Sequence, residues 1–139
     1  LLHTHLLLLS ALRAIVHVGP HKVGSTSLQT TLEEGRGTLA SDNFAFVHLA
    51  LQEGTFKGAK SCANVAHCLS GSPRRDIIIN CTLVMTDFGK FLDGARRAGR
   101  SIILSAENFD DPRMDIPFLA AALHGFETEV VVLHRPFFD

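Results

Sequence analysis

Two hydrophobic periods take turns along this chain. Residues 14–18 form a short apolar run around Val16, which predicts a buried strand. A loop bounded by Gly19 and Gly24 follows, and then a helical pattern from about residue 25 to about residue 39. Residues 43–49 predict a short strand. The stretch 52–75 is rich in Gly, Ser and Lys, and reads as a long loop with one short helix around 63–69. From 76 to 98, Ile77, Cys81, Val84, Phe88, Leu92 and Ala95 recur every three or four positions and make one apolar helical stripe. Lys90, Asp93, Arg96 and Arg97 fall mostly off it, as a solvated face would, and Gly99 ends the helix. A strand at 102–104, a helix near 117–123 that ends by Gly125, and a strand at 130–133 complete the pattern.

Strands alternating with helices predict an α/β fold, a parallel sheet flanked by helices. No internal repeat is visible. At 139 residues the chain reads as one domain. The share of hydrophobic residues, 46%, against 19% charged, points to a packed core rather than disorder. With 13 basic and 14 acidic side chains the net charge is −1, so no bulk basicity points to nucleic acid. Any anion site must be local, built from a few side chains and a helix end.

Such a site is visible at Gly19-Pro20-His21-Lys22-Val23-Gly24-Ser25-Thr26-Ser27. Strand, glycine-bounded loop and helix is the arrangement that wraps backbone N–H groups around a phosphate. The spacing of Gly19 and Gly24 is that of a Walker A loop, whose lysine directly follows the second glycine. Here Ser25 holds that position and the lysine comes earlier, as Lys22. A lysine there would lie over the loop, near the first phosphate at the helix start. In open parallel sheets ligands sit outside the carboxyl ends of the strands. Lys22, Glu107 and Arg135 each fall just after such an end.

This loop resembles the 5′-phosphosulfate-binding loop of the sulfotransferases that use 3′-phosphoadenosine 5′-phosphosulfate. Residues 101–109, ending in Glu107-Asn108-Phe109, resemble the family's central strand, which ends in its active site. Residues 129–137, with Arg135-Pro136, resemble the strand that delivers an arginine to the 3′-phosphate. The resemblance spans residues 15 to 138, with little of it carried by 38–75. It implies a P-loop-NTPase-like three-layer sandwich in which residues 14–139 are a cofactor-binding domain, after an apolar leading segment at 1–13. The family places a serine a few residues after its arginine, and further cofactor-contacting segments beyond. None has a counterpart before Asp139, so the domain reads as incomplete at its C-terminal side.

The implied reaction is transfer of a sulfuryl group to a hydroxyl or amine, with a carbohydrate acceptor by analogy with glycan-modifying members. The chemistry requires no metal, because lysine, arginine and helix N–H groups can supply the positive charge. On this resemblance Lys22 is the electrostatic catalyst. Pro20, His21, Lys22, Val23, Gly24, Ser25, Thr26 and Ser27 form the 5′-phosphate site, and Arg135 binds the 3′-phosphate. Glu107 is the candidate base, with Glu53, Glu33 and Glu34 as rivals, because some members take a glutamate from an earlier segment. Asn108 is placed to position the acceptor. His17, inside a strand, reads as a satisfied core histidine. Two alternatives stay open, a remnant that binds adenosine bisphosphate without turnover and a kinase-like phosphotransferase.

Three cysteines, Cys62, Cys68 and Cys81, make a complete disulfide framework unavailable. Cys62 and Cys68 are either free or joined in an oxidising compartment, and a zinc site would lack a fourth ligand. Asn80-Cys81-Thr82 is an N-glycosylation sequon, but the periodicity places it inside a helix, which discounts it. The apolar opening is shorter than the roughly 20 residues that span a bilayer. It is either the remnant of a signal or membrane anchor, or a helix beside the first strand. The compartment stays open, a Golgi or secretory membrane in a eukaryote and the cytoplasm in a bacterium.

Overall fold

A computed structural model describes residues 11–19, 24–50, 56–71 and 79–133. Four strands, β1 (Arg13–Val18), β2 (Phe44–Phe46), β3 (Ser101–Ser105) and β4 (Glu127–Val132), form one sheet in the order β2-β3-β1-β4. Every pairing is parallel, so the expected α/β parallel-sheet fold is present. Five α-helices lie between the described strands: α1 (Ser25–Glu34), α2 (Arg36–Ser41), α3 (Cys62–Ser70), α4 (Cys81–Ala98) and α5 (Ile116–Ala122). Parallel neighbours need crossovers, and crossovers of the usual right hand that step in opposite directions lie on opposite faces. That puts α1 and α2 over one face and α3 and α4 over the other.

The core follows from strand alternation. Ala14 and Val16 sit in register with Ile102 and Leu104, so all four share a face of the sheet. They join the α4 stripe of Val84, Phe88, Leu92 and Ala95 in one buried cluster. The other face of the same strands brings His17 opposite Ser105. That polar pair is buried at the carboxyl ends of β1 and β3.

Several sequence expectations need correction. The helix predicted from 25 to 39 is two helices, because the chain turns at Gly35. A side chain at Gly35 would come within 3.1 Å of the Thr31 carbonyl, so glycine suits the tightened turn. The helix predicted from 76 starts at Cys81, with Asn80 capping it through a bond accepted from the Leu83 N–H. The sequon asparagine therefore precedes the helix instead of lying inside it. Arg96 is no solvated charge. Its guanidinium donates to the Ala122 and His124 carbonyls at the end of α5, pairs with Asp93, and lies over the Phe126 ring.

The cysteine pairing also differs. Cys68 is bonded to Cys81, tying α3 to the start of α4, and Cys62 is free and buried. Helical geometry explains this. Cys62 and Cys68 share α3 and are six positions apart, about 9 Å along the axis and about 240° around it. Two thiols so placed cannot meet.

Candidate functional site

The site grows from the end of β1. Gly19 is buried at the strand's end, and Gly24, with φ +92°, occupies the left-handed region that disfavours any side chain. From Gly24 the chain enters α1, whose first intrahelical bond runs from the Leu28 N–H to the Gly24 carbonyl. Among the described residues no side chain caps this helix. Its first N–H groups and the positive end of its dipole therefore face the loop, as an anion site requires. Thr26 and Ser27 are exposed there, whereas Ser25 is buried. Pro20, His21, Lys22 and Val23 lie outside the described residues, and so do Arg135 and Glu53.

The strand order brings Glu107 to the same place. β3 lies beside β1, and a 3-10 turn, Glu107–Asp110, leaves its carboxyl end. The Ser25 hydroxyl donates to the Glu107 carboxylate across 82 positions of sequence. Two residues assigned separately from the sequence, one to the phosphate loop and one as the base, are thus in direct contact. Asn108 follows on the same turn.

Beneath this pair lies a buried polar layer. Nδ1 of His17 is 2.8 Å from the Ser105 hydroxyl. Gln29 Nε2 donates to the Ser105 carbonyl at 3.3 Å, and the Ala106 N–H donates to the His17 carbonyl at 3.3 Å. Burial lowers the His17 pKa from its ordinary 6.5, with the Glu107 carboxylate opposing the shift in part. Neutral His17 is therefore the resting form at neutral pH. Its Nε2 is buried without a hydrogen-bond partner among the described residues. His17 is in the core as expected, but among the described residues its ring is satisfied only at Nδ1.

A cavity of about 60 Å³ opens beside Glu107, lined by Thr26, Gln29, Phe56, Lys60, Ala63, Glu107 and Asn108. Its Phe56 wall is tied to α3. Asn64, buried on α3, accepts from the Phe56 N–H at 3.3 Å and donates to the Phe56 carbonyl at 2.7 Å. The Phe56 ring stacks on His67 at 5.3 Å. Gln29 and Lys60 were not picked out from the sequence. Gln29 is one helical turn after Ser25, so the same-face rule could have found it. Lys60 sits in a stretch read as loop, and no local signal marks it.

Two of the rival glutamates, Glu33 and Glu34, lie elsewhere. Glu33 is about 12 Å along α1 from Ser25. It pairs with Arg36 at 2.8 Å and lies 3.3 Å from His48. Glu34 is exposed at that same end of the helix. Cys62 is also unsuited to chemistry, because complete burial pushes its thiol up to about 12, well above the range of a reactive thiolate.

The arrangement pairs a carboxylate with an anion-receptive helix start, next to a small cavity whose wall mixes polar side chains with Phe56 and Ala63. It can take a proton from a group held in that cavity while positive charge from the helix end meets negative charge nearby. No protein-family model, no curated protein and no solved structure matches this chain, so a functional reading rests on its own residues.

Proposed function

We propose that this chain is the donor-binding part of a sulfotransferase, using 3′-phosphoadenosine 5′-phosphosulfate and a hydroxyl or amine acceptor, with carbohydrate the preferred class. The observation that carries the reading is the contact between Ser25 and Glu107 at the adjoining ends of β1 and β3. It joins the loop that would hold the donor to the carboxylate that would serve as base. The start of α1, capped by no described side chain, and the left-handed Gly24 fit a bound phosphate.

Bound at this loop, the donor would supply an activated sulfuryl group. Glu107 takes the acceptor's proton as the acceptor oxygen bonds to sulfur. The bond from sulfur to the 5′-phosphate oxygen breaks, and adenosine 3′,5′-bisphosphate leaves with the electron pair. Lys22 meets the charge that develops on the leaving phosphate, and the first N–H groups of α1 hold it. Ser25 orients Glu107, and the cavity beside Asn108 receives the acceptor. Arg135 would hold the 3′-phosphate.

A transfer assay with labelled donor and a panel of oligosaccharides tests this. Glu107→Gln should lower turnover by about 10²–10⁴-fold, the usual contribution of a positioned base. Its affinity for adenosine 3′,5′-bisphosphate should stay near that of the unaltered chain. Equal turnover in the variant would remove Glu107 from the chemistry. Binding without turnover in the unaltered chain would leave the non-catalytic alternative standing.

A further inference from the structure

We propose that Asn80 is an N-glycosylation site and that this chain matures in an oxidising lumen. Asn80-Cys81-Thr82 is the chain's one N-x-[ST] sequence. Asn80 is exposed and extended, with φ −82° and ψ 91°, immediately before the first residue of α4. Its Oδ1 accepts the Leu83 N–H at 3.2 Å. That bond aims the carbonyl side of the amide at the helix. The bond engages Oδ1 and does not use Nδ2, the atom that takes a sugar. Glycosylation at Nδ2 keeps the carbonyl, so the helix cap survives the modification. Cys81, Thr82 and Leu83 are exposed beside it, and no described side chain covers the position.

A second observation points to the same compartment. Cys81, the middle residue of the sequon, is joined to Cys68. Disulfides persist in oxidising environments and are rare where thiol reductants circulate. The lumen that forms this bond is also where asparagine receives its glycan. In the transfer, Nδ2 of Asn80 bonds to C1 of the first sugar of an oligosaccharide carried on a polyisoprenyl diphosphate. The bond from C1 to the diphosphate oxygen breaks, the diphosphate leaves with the electron pair, and the amide proton passes to a base of the transferring enzyme. None of this depends on the sulfotransferase reading.

The test is expression of the full chain behind a secretory signal in a eukaryotic host, read on total cell material so that retention does not hide the result. Peptide-N-glycosidase treatment should produce one mobility shift and convert Asn80 to aspartate by mass spectrometry. Thr82→Ala leaves the Asn80 cap in place and should abolish the shift, as should Asn80→Gln. The Thr82 side chain takes no part in the bond from Thr86 to the Thr82 carbonyl, so Thr82→Ala should fold. An unmodified Asn80 in disulfide-bonded chain overturns the proposal. Reduced Cys68 and Cys81 in that host overturn it equally.

Discussion

At the scale of single residues, the functional reading depends on where His17, Ser25 and Glu107 sit relative to one another. His17 would have been expected to stay near neutrality's edge had it been exposed. Burial beside Ser105 holds its pKa below the ordinary 6.5. The unfolded chain then binds a proton that the folded chain refuses. The stability His17 contributes is therefore full above 6.5 and is lost as pH falls through its lowered folded value. Urea titrations across acidic pH should show a steeper loss for the unaltered chain than for His17→Asn, which keeps a polar atom near the Nδ1 position. Parallel pH profiles would mean that His17 does not titrate as burial requires. The identity of these residues was legible in the sequence, because the loop's glycines and hydroxyls and the carboxylate after a strand each mark a strand end. Their contact was not, since Ser25 and Glu107 are 82 positions apart and meet only because β3 lies beside β1.

At the scale of elements, the alternation of strand and helix was readable because each apolar run is short and each helical stripe is long. Boundaries were less readable where a single local feature overrides periodicity. Gly35 splits one pattern into α1 and α2, and Asn80 starts α4 later than the stripe beginning at Ile77 implied. Ile77 lies outside the described residues. Pairing between elements was the least readable. Arg96 binds the end of α5, and Cys68 binds Cys81, through tertiary contacts with no local mark. The thiol pattern makes a direct prediction. With an alkylating reagent, native unreduced chain should label at no cysteine, denatured unreduced chain at Cys62 alone, and denatured reduced chain at all three. Labelling of Cys81 in the denatured unreduced sample would contradict the Cys68–Cys81 bond.

At the scale of the whole molecule, the sheet is unequally covered. β1 and β3 are central and mostly buried, while every residue of the edge strand β4 is exposed, with Val130 at 63% and Val132 at 61%. An exposed apolar edge strand is a template for pairing with another chain. The chain should therefore associate with rising concentration in sedimentation velocity, and Val130→Lys with Val132→Lys should lower that association. Association that is unchanged in this double variant would move the sticky surface elsewhere. The same sheet carries the functional claim. Its two central strands end together, one leading towards Gly24 and the start of α1 and the other into Glu107, at the sheet edge where open parallel sheets bind ligands.

The measurement that tests this claim most directly is calorimetric titration of the folded chain with adenosine 3′,5′-bisphosphate in the presence of a chelator, beside ATP with Mg²⁺. Metal-independent binding of the bisphosphate, in preference to ATP, is the expected result. Lys22→Ala and Arg135→Ala should each lose tenfold or more in affinity, about 1.4 kcal/mol. Absence of binding by folded chain, or preference for ATP with Mg²⁺, would contradict the claim.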